Sequence, residues 1–360
     1  MQCSDRVLQN GKIVQFKPNP ICFQNILTKA AGKPVVFVTL CGSYQSGKSS
    51  TIKMLTGNCD IVIGNAMDEQ THGAYVYGPI SYNFLRKRFH MKELPGDETQ
   101  VFFVDTEGSS GFEAGEANEE ANRYLLSQLI APYAALSNVV TTIVRSAIST
   151  NEVETMKLIL DIVKTVRQGT DLKNRSCLLA LVPQTKDYDP TSGQFEDIQQ
   201  RVTENVVKKF GSDFDITEVI PLSAYNINAD ILEQSPEFNA GFRIFAQHLI
   251  NHIEETRKQV PIEAEGAVLI FKKLIEITDK QNLSEIAIDA MNDAKRHSFD
   301  KLYSPIADEV INNQISSIQK IIEELTNEIQ NKEFVEAYQI DTTKICNEAY
   351  KELDEKLPPD

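Results

Sequence analysis

Eight consecutive residues, Gly42-Ser43-Tyr44-Gln45-Ser46-Gly47-Lys48-Ser49, have the types and spacing that hold phosphate. They satisfy G-x-x-x-x-G-K-S/T, in which each fixed position has a physical reason. Gly42 and Gly47 let the backbone curl so that successive N–H groups, from Ser43 through Ser50, face one point. The helix that follows adds its N-terminal amides and dipole, which favour an anion there. Lys48 supplies a point charge to the β/γ-phosphates, and the Ser49 hydroxyl is placed to ligate Mg²⁺. The context agrees: the apolar run "PVVFVTL" precedes the loop, and "SSTIKMLTG" follows as a helix that Gly57 stops.

Three further segments complete a nucleotide site. In "VFFVDTEGSSG", Asp105 closes an apolar run and can hold a Mg²⁺-bound water, while Gly108 lets its amide approach a γ-phosphate. In "DEQTHGAYVYG", Thr71 can add a hydroxyl to the Mg²⁺ shell and fold over the γ-phosphate. "CLLALVPQTKDYDP" ends a strand with Lys186-Asp187. A carboxylate there can accept from guanine N1–H and N2–H₂, donors that adenine lacks, with Asp189 as the alternative carboxylate. Ser223, after "EVIPL", falls where a base-capping loop would lie.

Such residues need a scaffold, and the pattern supplies one. Apolar runs at 34–40, 101–104, 139–144, 177–182 and 218–222 alternate with amphipathic stretches, the signature of a mostly parallel sheet covered by helices on both faces. "YVYGPI" (75–80) is a further strand, forming one antiparallel hairpin with "TQVFFVD" through the turn "LPGDE". After about 235 strand signals vanish. A long helix reaches to Pro261, and later helices include an a/d seam of Ile311, Ile315, Ile318, Ile322, Leu325 and Ile329, expected to pack within a helical bundle.

The chain has 360 residues, 41% hydrophobic and 24% charged, enough for two domains and a buried core. A net charge of −15 argues against a surface built for nucleic acid or an anionic membrane. The basic triplet at 86–88 reads as a solvated loop. Six scattered cysteines without a CxxC pair fit a reducing, cytoplasmic setting. Neither a signal peptide, a membrane span nor a lipidation box is expected.

Taken together, these residues resemble the guanylate-binding protein and atlastin branch of the dynamin-like large GTPases. The similarity is carried by "EQTHGAYVYG" as switch I, "VDTEG" as switch II and Lys186-Asp187 in place of an Arg-Asp guanine motif, and covers about residues 30–230. It implies a P-loop GTPase domain over 1–260, mainly parallel α/β, followed by an α-helical middle domain over 261–360, expected to be a truncated one. It also implies Mg²⁺-dependent GTP hydrolysis and a homodimer formed through the nucleotide face. Glu107 would join an acidic network near the attacking water. A membrane or protein target is compatible with the family but is not encoded in these motifs.

Departures from the branch bear on catalysis. Gln45 stands where the family has an arginine finger, worth roughly 10³–10⁵ in rate. Glu69 replaces a serine that helps place water. Slow turnover is expected, with Gln45 orienting water or donating to a bridging oxygen, and a partner's arginine, Arg123, Arg145 or a bound monovalent cation as sources of the missing charge. The alternative is a GTP-holding interaction module with negligible turnover. His248 and His252, four apart, read as structural or surface residues, and the acidic run at 113–122 as a solvated helix start, rather than as metal sites.

Overall fold

The computed structural model describes residues 1–9, 12–42, 46–57, 61, 72–108, 119–145, 159–165, 176–182, 197, 200, 204, 218–221, 236–258, 262–275 and 307–323. It opens with two strands that the apolar runs do not reveal, β1 (Gln2–Gln9) and β2 (Lys12–Pro18), paired antiparallel. Gln9 pairs with Lys12, so the connection is Asn10-Gly11, the dipeptide most favoured in two-residue hairpins. Helix α1 (Pro20–Leu27) follows, capped by Asn19, whose side chain accepts from the Cys22 N–H at 2.9 Å.

The expected sheet then forms from β3 (Pro34–Gly42), β4 (Ala74–Ser81), β5 (Gln100–Thr106), β6 (Ser137–Arg145), β7 (Ser176–Val182) and β8 (Glu218–Pro221). The order is β2-β1-β4-β5-β3-β6-β7-β8, with β5, β3, β6, β7 and β8 mutually parallel. β4 pairs antiparallel with β5, from Ala74 opposite Thr106 to Ser81 opposite Gln100. They do not make a tight hairpin, because helix α3 (Tyr82–Arg88) intervenes. Arg86 and Arg88 of the basic triplet lie on this helix rather than in a solvated loop. Arg88 donates twice to Met54 O, at 3.1 and 3.2 Å, and Arg86 reaches Glu254 at 3.5 Å.

Side chains of β3 alternate between two cores, as the period of a strand requires. Val35, Phe37 and Cys41 face a cluster with Phe23, Phe102 and Tyr133; Val36, Val38 and Leu40 face another with Ile52, Phe103 and Phe245. The first face is covered by α1 and α4 (Glu119–Leu136), the second by α2 (Lys48–Thr56), α3 and α5 (Pro236–Arg257).

The chain divides into two compact units, Met1–Ala294 and Lys295–Asp360. The boundary expected at 260/261 falls inside the first. Directly after it, β9 (Ile262–Glu263) pairs with the start of β3. Helix α6 (Ala264–Ile275) then inserts Phe271 against Phe23, ring centroids 4.0 Å apart, and Tyr133, 5.3 Å. A fully buried phenylalanine contributes about 1.5–3 kcal/mol, so α6 is part of this core. In the second unit the described helix is 307–323, where Ile311, Ile315 and Ile322 of the seam are exposed and Val310 is buried. Leu325, Ile329 and the remaining expected helices lie outside the described residues. Among those described, no helix is long and apolar enough to cross a membrane.

Candidate functional site

Strand β3 is where the sheet changes direction of growth, with β5 on one side and β6 on the other. In open parallel sheets a crevice forms at the carboxyl ends of strands at such a point, and ligands bind there. Gly42 ends β3 at that spot with φ 138°, and a Cβ on it would run into the carbonyl oxygen of Ile143. No other residue type fits. Gly47 then sits in the left-handed region, φ 92°, and opens α2, its carbonyl accepting from Thr51 N at 2.9 Å.

These two glycines bring the loop's chemistry together. Lys48 is 6% exposed, and its Nζ donates to Gly42 O at 3.3 Å, so the ammonium lies folded over the loop's own start. Ser46 is buried with its Oγ lacking a hydrogen-bond partner among the described residues. Ser49 Oγ donates to Asp105 Oδ2 at 2.6 Å, joining α2 to the end of β5. A hydroxyl and a carboxylate oxygen held at this distance are hard donors of the kind Mg²⁺ selects. The site residues Ser49 and Asp105, 56 positions apart, are therefore together.

Beyond Asp105 the chain is locked to the segment after Thr71. Gly73 N donates to Glu107 Oε2 at 2.6 Å, and Glu107 N donates to Gly73 O at 2.7 Å. Glu107 and Gly108 are both buried. Thr106 Oγ1 donates to Leu40 O at 2.8 Å, fixing the strand ends beside each other. Burial, with the Asp105 charge and then Tyr75 adding to it, pushes the Tyr77 phenol well above its ordinary value. Gly73 and Tyr77 are the glycine and the second aromatic of the run "THGAYVY" that resembles switch I, but the sequence assigns neither a role of its own.

Ser43, Tyr44, Gln45, Thr71, Lys186, Asp187, Asp189 and Ser223 lie outside the described residues, as do the side chains of Arg123 and Arg145. The strands that lead to them are described: β7 ends at Val182 and β8 at Pro221, both at the same sheet edge as Gly42. Among the described residues no group of three His, Cys, Asp or Glu could hold a metal; His248 and His252 lie on α5.

Fold and loop define a P-loop nucleotide-binding domain of mainly parallel α/β type. Residues 14–178 match the family model described as guanylate-binding protein, N-terminal domain. Among solved structures the chain is similar to a crystal structure of a variant of SsGBP, at 17% identity and TM-score 0.34, covering 62% of this chain and 57% of that one. It is also similar to Era in complex with MgGDPNP and part of 16S ribosomal RNA, at 13% identity and TM-score 0.36, covering 61% and 57%. The matches thus span little more than half the length of either structure. No curated protein matches the sequence.

Proposed function

We propose that the first unit binds GTP in the crevice at the end of β3 and hydrolyses it slowly, with water as the nucleophile. The observation that carries this reading is the Ser49–Asp105 contact beside Gly42 and Lys48. Lys48 exchanges Gly42 O for the β/γ-phosphate oxygens, and the amides of Ser43 through Ser50 with the Ser46 hydroxyl surround the phosphates. Mg²⁺, when bound, neutralises charge on the β- and γ-phosphates. Ser49 and Thr71 would hold it directly, and Asp105 through a water. Lys186 lays its stem along the base, Asp187 accepts from the guanine N1–H and N2–H₂, and Ser223 lies in the capping loop.

Glu107 acts here through position. Its two hydrogen bonds with Gly73 keep the segment after Thr71 against the end of β5, where Gly108 offers its amide to the γ-phosphate. Gln45 orients water or donates to the bridging oxygen without supplying charge. A homodimer through the nucleotide face is the means by which the missing arginine would be supplied. The second reading, a GTP-holding module without turnover, is favoured by Gln45 and Glu69.

Side-by-side titrations with GTP and ATP, on the parent and on Asp187→Asn, test the base assignment. The parent should prefer GTP, and the variant should lose that preference. Equal binding of ATP by the parent would overturn it.

A further inference from the structure

Cys3 and Cys22 are nineteen positions apart and share no motif, yet their Sγ atoms meet at 3.2 Å. Both are thiols. Cys3 is fully buried on β1, packed in the core with Phe16 and Phe23. Cys22 lies on the first turn of α1 and is partly exposed, packing against the rim of the same cluster. Its Sγ also donates to Gln2 O at 3.1 Å, and its backbone N–H is held by Asn19 Oδ1. Strand and helix are thus each fixed, and the two sulfurs face each other at 3.2 Å, about 1.2 Å longer than a disulfide bond.

We infer that Cys3 and Cys22 form an oxidisable dithiol, a modification site at which a hydroperoxide is the oxidant. The exposure difference sets the order of events. Cys22, the more exposed of the two, gives its proton to solvent and attacks the peroxide as thiolate: one S–O bond forms, the O–O bond breaks, and the leaving oxygen takes a proton from solvent to depart as water or an alcohol. Cys22 is then a sulfenic acid. The Cys3 sulfur, already in contact, attacks the Cys22 sulfur; an S–S bond forms, the S–O bond breaks, and the hydroxyl leaves as water with the Cys3 proton. Two thiols have been oxidised by two electrons and one peroxide reduced.

The neighbouring residue gives the link a structural reach. Gln2 donates from Nε2 to His72 O at 2.9 Å, and its Oε1 accepts from Tyr75 Oη at 2.9 Å. A cross-link at Cys3 removes the Cys22 S–H bond to Gln2 O while anchoring β1 to α1, next to the segment that follows Thr71. Any effect on nucleotide rests on the functional reading above; the thiol chemistry does not.

The test uses the full chain, reduced, exchanged out of reductant, and treated with hydrogen peroxide. The chain is then unfolded in denaturant, remaining thiols are blocked with iodoacetamide, and peptides are mapped without reduction. The expected result is a linked pair containing Cys3 and Cys22, released by dithiothreitol, with Cys41 unlinked. Cys22→Ser should leave Cys3 a thiol after peroxide. Cys3→Ala should stop Cys22 at the sulfenic acid, captured by dimedone. Both cysteines staying alkylatable after peroxide, or Cys22 pairing with a second molecule, would overturn the inference.

Discussion

Ser49 Oγ and Asp105 Oδ2 are 2.6 Å apart, a hydrogen bond that ties the first turn of the P-loop helix to the end of the neighbouring parallel strand. Two strands reach the same edge because β3 and β5 are in register, with Leu40 opposite Asp105. If this pair holds Mg²⁺, Ser49→Ala should lower GTP affinity in Mg²⁺ by roughly tenfold, the worth of one ligating oxygen at about 1.4 kcal/mol. Binding in EDTA should be unchanged. Isothermal titration under both conditions checks this; an equal loss in both would mean that Ser49 contributes packing alone.

Glu107 and Gly73 should govern the order of the segment after Thr71. Glu107→Ala removes a charged acceptor from a buried amide, a loss of about 1.5–3 kcal/mol. Hydrogen exchange at the Gly73 amide should accelerate by roughly 10- to 100-fold. The strand core at Val101–Val104 should keep its protection. Exchange that rises equally across β5 would point to general destabilisation.

Helix α6 belongs to the first unit, and its removal should unfold that unit. Phe271→Ala leaves a cavity beside Phe23 and Tyr133 and should cost about 3–5 kcal/mol, read from denaturant melts. A chain ended at residue 260 should fail to fold cooperatively. A cooperative, unshifted melt for either variant would return the boundary to 260/261.

At the opposite edge of the sheet, Arg257 pairs with Asp97, reaches Glu254 Oε2 at 3.1 Å and lies over the Tyr82 ring, 4.7 Å from its centroid. Burial opposes the Glu254 charge, but hydrogen bonds from Lys258, Arg257 and Tyr82 outweigh it and bring its pKa to about 2. Burial likewise opposes Asp97, which bonds from Thr99 and Arg257 hold below the ordinary range. Both folded values are depressed, so their stabilisation is complete above the ordinary glutamate value of 4.5 and is lost as pH falls toward 2. Arg257→Met should cost about 2 kcal/mol at pH 7. That deficit should shrink as the pH of the melts is lowered through this window, and a pH-independent deficit would assign the loss to packing on Tyr82.

Much of this architecture can be read from local patterns, and the exceptions share a cause. The central strands announce themselves because both faces are buried, giving unbroken apolar runs such as "PVVFVTL". β2 is the edge strand and β1 its neighbour, and together they carry Asp5, Arg6, Lys12 and Lys17, so no such run marks them. Only Asn10-Gly11 betrays the hairpin. The apolar stripe of α6 was visible, but a stripe does not say which surface it covers. The loop Gly42 to Ser49 was legible residue by residue, since phosphate chemistry constrains neighbours in sequence. Glu107 with Gly73, Asp97 with Arg257, and Cys3 with Cys22 were not, because folding alone brings them together.

The most direct test of the central claim is GTP turnover per molecule, measured over a wide range of protein concentration with products separated by chromatography. Lys48→Ala, which removes the buried ammonium from the loop, is run in parallel. The account predicts slow turnover that rises with concentration as the dimer completes the site, and that is lost with Lys48→Ala. GTP bound but left intact at every concentration, or turnover that survives Lys48→Ala, would contradict it.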